Sequence, residues 1–127
     1  MPEEFCMIIN KTKGKLPRLP FVSIKDKILG KDYDLSVSFL SPIAQKKINK
    51  KYRGKDTTTN ILSFTLSQNS GEITFDLVKV KKDAPLFDMT YAKFLKYLFI
   101  HGLLHLKGFE HSSTMEKEEK KFLRLFS

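Results

Sequence analysis

The stretch "YAKFLKYLFIHGLLHLKG", residues 91–108, constrains this chain more than any other. It is apolar almost all round, with Phe94, Leu98, Phe99, Ile100, Leu103, Leu104 and Leu106, so a helix from about Thr90 to Leu106 has to be central and buried. Its most apolar part, "YLFIHGLLHL", is roughly half a bilayer span and carries two histidines, so it reads as core. Gly108 is well placed as the left-handed stop of that helix. His101 and His105 are four residues apart and project from one helix face, one turn above the other. Imidazoles buried there need partners, because an unsatisfied polar group costs roughly 1–3 kcal/mol.

A shared metal ion would supply such partners. Gly108 lets the chain reverse, and His111 can then fold back as a third ligand. Three imidazoles leave a fourth corner open, the arrangement of a catalytic rather than a structural zinc. The C-terminal end of the helix dipole also favours a cation. A lone histidine on an apolar helix face is usually a core residue bonded to a carbonyl. All three histidines of the chain within eleven residues argue against that here. Imidazole-only ligation suits zinc, nickel, copper or iron, and one zinc ion per chain is the expectation.

The rest of the chain reads as short alternating elements. "FCMII" (5–9) fits a buried strand, a basic proline-bearing loop follows, and a helix is expected near 22–30. "DLSVSFL" (34–40) alternates with Leu35, Val37 and Phe39 on one side, the mark of a half-buried strand. Ser41-Pro42 opens a helix that ends near Arg53-Gly54. "TNILSFTL" (59–66) and "GEITFDLVKV" (71–80) read as strands joined by the turn "SQNSG". Ser113 and Glu116 form a capping box for a last helix. The order β-α-β-α-β-β-α-α predicts an α+β (mixed α/β) fold, one domain over 1–127, with a small, mostly four-stranded sheet under four to five helices.

Charge points to the partner. The formal charge is +9, and residues 1–63 hold 13 Lys and Arg against 6 Asp and Glu. Such an excess argues for a polyanion, nucleic acid before an acidic membrane. "KKINKKYRGK" (46–55) concentrates it, and Lys46, Lys50 and Arg53 follow one helix row. With Lys51 and Lys55 they form a candidate phosphate-binding stripe, although a charge run is often only a solvated face. A single cysteine, Cys6, excludes an internal disulfide, and the acidic start "MPEEF" is unlike a signal peptide. A soluble cytoplasmic protein is expected.

The spacing H-x-x-x-H-x-x-G-x-x-H is also the ligand frame of metzincin proteases, which need a glutamate after the first histidine as general base. Gly102 stands at that position, and Met115, four residues past His111, makes no convincing Met-turn. A peptidase of that kind would lack its base. Gly102 is expected instead to keep space beside the ligands for close packing or for substrate.

"HGLLHLKGFEH" resembles the H-G-x-L-H-L-x-G-Y-D-H signature of the YbeY family of bacterial ribosomal RNA maturation endoribonucleases. "YRGKDTTTNILSF" (52–64) is similar to that family's Y-R-x-K-D-x-P-T-N-V-L-S-F, "GEI" (71–73) to its G-D-I, and "MEKEEKKFLRLF" to its closing helix. Thr58 replaces a proline, which is expected to loosen the loop; Phe109, Glu110 and Glu72 replace Tyr, Asp and Asp. The resemblance implies a metal-dependent, single-strand-specific endoribonuclease acting in small-subunit ribosomal RNA processing and ribosome quality control, associated with the small ribosomal subunit. It implies metal binding by His101, His105 and His111 and an active-site role for Arg53. Two readings from other classes remain open at this level: a ribosome-associated RNA-binding protein with a structural zinc, and a metal-dependent hydrolase of another substrate.

Overall fold

The computed structural model describes residues 5–127, so the acidic start at Glu3 and Glu4 lies outside the described residues. The elements run β1 (Cys6–Asn10), α1 (Phe21–Leu29), β2 (Asp34–Leu40), α2 (Pro42–Arg53), β3 (Ile61–Ser67), β4 (Ser70–Asp76), α3 (Leu77–Asp83), a 3-10 turn (Ala84–Phe87), α4 (Tyr91–Lys107) and α5 (Ser113–Leu125). One four-stranded sheet has the order β1-β2-β4-β3. β1, β2 and β4 are parallel, and β3 runs antiparallel to β4 at the edge. This is the expected α+β architecture.

The two faces of the sheet are filled differently. Leu35, Val37, Phe39, Ile73 and Phe75 are fully buried on one face, where Phe21 of α1 and Phe99 of α4 pack edge-on against each other and near Phe39 and Phe75. α4 is buried along its length, as its composition required. On the other face, α2 presents Gln45 and Asn49, both buried, instead of large apolar side chains. β2 is therefore more than half-buried, because Ser38 and Leu40 on the α2 side are covered too.

The polar face of α2 holds the loop that follows it. Asn49 Nδ2 donates to the Thr57 carbonyl at 2.8 Å, and Gln45 Nε2 donates to the carbonyls of Thr59 at 3.3 Å and Thr74 at 3.1 Å. Thr58 Oγ1 donates to Asp76 Oδ2 at 2.7 Å, and Asn60 Nδ2 to Asp83 Oδ2 at 3.1 Å. Replacement of proline by Thr58 thus adds a tether that proline cannot make, rather than loosening the loop.

Two element boundaries are also corrected. The strand expected over 71–80 stops at Asp76, whose Oδ1 accepts from the Lys79 amide at 3.1 Å and caps α3. "LVKV" alternates like a strand, but Leu77, Val80 and Ala84 also follow a helical spacing, and the cap decides between them. The last helix is capped one residue earlier than expected. Ser112 Oγ accepts from the Met115 amide at 3.2 Å, Ser113 is the first helical residue, and the Ser113–Glu116 box does not form. That register puts Met115, Glu119 and Phe122 on the buried side. Ser41 caps α2 and Gly108 (φ 110°) ends α4 in the left-handed region, both as expected; α2 ends at Gly54 (φ 68°), and Thr90, expected as the first helical residue, caps α4 instead. No helix among the described residues is long and apolar enough to cross a membrane.

Candidate metal centre

His101 and His105 occupy the last two turns of α4. Beyond them Gly108 turns the chain, with the Gly108 and Phe109 amides donating to the carbonyls of His105 and Leu104, each at 3.0 Å. This reversal brings His111 back over the helix end. One ligand nitrogen from each of the three rings lies within 4.8 Å of the others. His101 and His105 are half-buried and His111 is exposed, so the trio opens on solvent instead of being enclosed.

The outer nitrogens are held. His101 Nδ1 donates to the Glu119 carboxylate of α5, and His105 Nδ1 donates to the Phe109 carbonyl at 3.2 Å. With Nδ1 protonated on both rings, the lone pairs sit on Nε2. The two Nε2 atoms face each other at 3.1 Å. Two lone pairs so close repel unless a cation lies between them. Two nitrogens at about 2.0–2.1 Å from a tetrahedral zinc stand roughly 3.3 Å apart, so the spacing fits such an ion. Burial and the neighbouring His101 and His111 push the His105 pKa below the usual imidazole value, only partly opposed by the Phe109 carbonyl and Glu119. A ligand must be neutral to bind metal, and this shift keeps it so.

Glu119 is the residue that inspection of the sequence missed. It is buried to 6% exposure, on the same stripe of α5 as Met115 and Phe122. A charged residue in the buried register of an otherwise apolar stripe is the signal that marked it. A carboxylate behind a ligating histidine fixes the ring and raises its basicity. The replacement of tyrosine by Phe109 leaves this support intact, because the main-chain carbonyl and not the side chain holds His105.

The histidines form one wall of a cleft whose lining includes Arg53, Thr59, Ile61, Ser63 and Gly102. Arg53, at the end of α2, shares the lining of the cleft with the trio, and the β3 residues Ile61 and Ser63 line it too. An adjoining depression continues past Thr65 and Leu106. A Cβ on Gly102 would lie 3.0 Å from Ile61 Cδ1 and 3.1 Å from Ile73 Cδ1, so glycine lets α4 approach the sheet at the floor of the cleft. The remaining basic candidates stand apart from it. Lys46, Lys50, Lys51 and Lys55 are exposed and do not line the cleft, and Lys46 lies 3.9 Å from Asp56.

A sequence profile for the family described as endoribonuclease YbeY matches residues 18–125. The chain belongs to the YbeY family. It is 38% identical over 105 residues to the endoribonuclease YbeY of Mycoplasmopsis synoviae, an alignment covering 75% of this chain and 68% of that protein. The endoribonuclease YbeY of Neorickettsia sennetsu is 33% identical, with 75% and 74% covered. A Thermotoga maritima protein solved in solution matches in structure with a TM-score of 0.68 at 28% identity, over 94% of this chain and 87% of the other. Both YbeY-like motifs, around Arg53 and around the histidines, fall inside the matched span.

Proposed function

We propose that this YbeY-family chain is a metal-dependent endoribonuclease that cuts single-stranded RNA in the cleft between Arg53 and the histidine trio. His101, His105 and His111 hold one ion, and their all-imidazole donor set with an open fourth position favours zinc. The observation that carries the reading is the lining itself: among the described residues it has one guanidinium, three imidazoles, two hydroxyls and no carboxylate. A peptidase needs an acid on that lining to protonate its amine leaving group, whereas phosphodiester cleavage needs charge neutralised and the phosphate oriented.

When bound, the ion supplies Lewis acidity at the phosphate. The protein does the rest. Arg53 can grip two phosphate oxygens with its planar fork and offset the charge that grows on them in the transition state. Thr59 and Ser63 offer hydroxyl donors beside it. Glu119 and the Phe109 carbonyl keep the histidine rings aimed, and Gly102 keeps the floor low. Lys46, Lys50, Lys51 and Lys55 steer and hold the RNA backbone from outside the cleft. On the family's relationship we further propose that the substrate is ribosomal RNA, that the chain acts in small-subunit maturation and ribosome quality control, and that it works in the cytoplasm.

The test is a pair of variants assayed for fold, bound metal and cleavage of a single-stranded RNA. Arg53→Ala is expected to keep its fold and its metal and to lose about 100- to 1000-fold in cleavage rate. His105→Ala is expected to lose metal and cleavage together. Arg53→Ala cleaving at the wild-type rate removes the arginine from the mechanism, and a wild type that never cuts RNA sinks the enzyme reading.

A further inference from the structure

Beside the cleft stands an aromatic pair that the phosphate chemistry leaves unused. Tyr52, the residue before Arg53, is 62% exposed, and its ring lies 5.2 Å from that of Phe64 with the planes tilted by 59°. Side chains of β3 alternate between faces. Ile61 and Ser63 line the cleft side, so Phe64, in regular register opposite Glu72, points to the α2 side. α2 covers Leu62, which is 1% exposed, but the helix ends at Arg53. Past that end the face is less covered, and Phe64 is only half-buried. Because β3 is the outer strand, only its width separates the aromatic pair from the cleft.

We infer, on the RNA reading above, that Tyr52 and Phe64 form a stacking platform for an unpaired base of the RNA strand whose neighbouring phosphate lies at Arg53. Sequence adjacency ties the two contacts together: Tyr52 precedes Arg53, and Phe64 lies between Ser63 and Thr65 of the cleft wall. Single-stranded RNA is recognised by splayed bases laid on aromatic faces, and this favours no particular sequence because every base has such a face. Charge around the patch selects the same occupant. Lys51 Nζ lies 5.4 Å from the Tyr52 ring centre, and Lys50, Arg53 and Lys55 are exposed nearby. The acids there are Asp56, within 3.9 Å of Lys46, and Glu72, paired with Phe64 across the strands. An aromatic patch set in excess positive charge suits a polyanion carrying flat rings better than an apolar protein helix.

The chain has no tryptophan, so Tyr52→Trp introduces a single fluorophore at the platform. Its emission is expected to be quenched by a short single-stranded oligoribonucleotide and not by a duplex of the same length. Tyr52→Ala is expected to weaken oligonucleotide binding by about fivefold or more, and Tyr52→Phe to restore it to within about twofold. An oligonucleotide with an abasic residue at the stacked position should bind wild type and Tyr52→Ala alike. If quenching is absent and Tyr52→Ala binds as wild type does while RNA is still cut, the platform is overturned and the endoribonuclease reading stands. A protein partner for the patch gives that same result. A chain that neither binds nor cuts RNA overturns both.

Discussion

The cleft has two sides built on opposite plans. On the histidine side two of the three rings have a second attachment, His101 to Glu119 and His105 to the Phe109 carbonyl, and the turn that leads to His111 is tied to the end of α4. On the arginine side the main chain is tied down through Asn49, Gln45 and Thr58, while the cations are exposed, with only loose contacts such as Lys46 to Asp56 at 3.9 Å. The chemistry explains the contrast. Metal ligands act only at fixed separation, so their support has to be rigid. A side chain that meets a flexible polyanion needs reach and charge more than fixed geometry, and an anchored backbone beneath it suffices.

This contrast predicts unequal responses to mutation. The largest belongs to the support of a ligand. Glu119→Gln keeps the shape but replaces a carboxylate acceptor by an amide, and is expected to weaken metal binding about 10- to 100-fold. Titration of the protein with a competing chelator measures it; unchanged affinity would make Glu119 a structural residue only.

Acid comes next. Burial depresses the His105 pKa below its ordinary value of 6.5, so the folded state resists protonation there more than the unfolded chain does. The resulting stabilisation is complete above 6.5 and is lost as pH falls through the lower folded value. Metal retention and melting temperature of wild type should therefore decline together on the acid side, whereas RNA binding by the always-charged Arg53 should not follow them. A melting temperature flat from neutral pH down past that range would contradict this.

Gly102→Ala should have a smaller effect. Alanine gains about 1 kcal/mol of helix propensity, but its Cβ presses on Ile61 and Ile73. Overpacking of that kind costs about 1–3 kcal/mol, so a net loss of about 1 kcal/mol in thermal or denaturant unfolding is expected, with slower cleavage as Ile61 shifts in the cleft. If both stability and cleavage were untouched, the glycine would have no role in packing or substrate access. Smallest is the effect of Lys50→Ala with Lys51→Ala. It should leave cleavage chemistry and stability alone and flatten the salt dependence of RNA binding, by about 0.7 in the log–log slope for each phosphate that is no longer neutralised.

Legibility in the sequence followed the distance over which each feature is encoded. The helix boundaries at Ser41, Gly54 and Gly108 were readable because each depends on a few adjacent residues. The misreadings were also local: "LVKV" fits two periodicities, and Ser112 and Ser113 compete for one cap. Glu119 was unreadable as a partner of His101 because eighteen residues and a turn of unknown angle separate them.

The sequence by itself determined which side chains could hold a metal ion. His101 and His105 at helical spacing and Gly108 at a left-handed stop bring three imidazoles to one helix end, and the family resemblance named Arg53 without locating it. Tertiary structure decided what those ligands can act on. The sheet order puts antiparallel β3 at the edge, between the end of α2 and the last turns of α4, so residues 48 positions apart in the chain face one cleft. Helix geometry sets the first arrangement over a few residues, while the second depends on strand pairing across the whole domain. Only the fold could turn a histidine cluster into a site with a guanidinium opposite it and an aromatic pair at its rim.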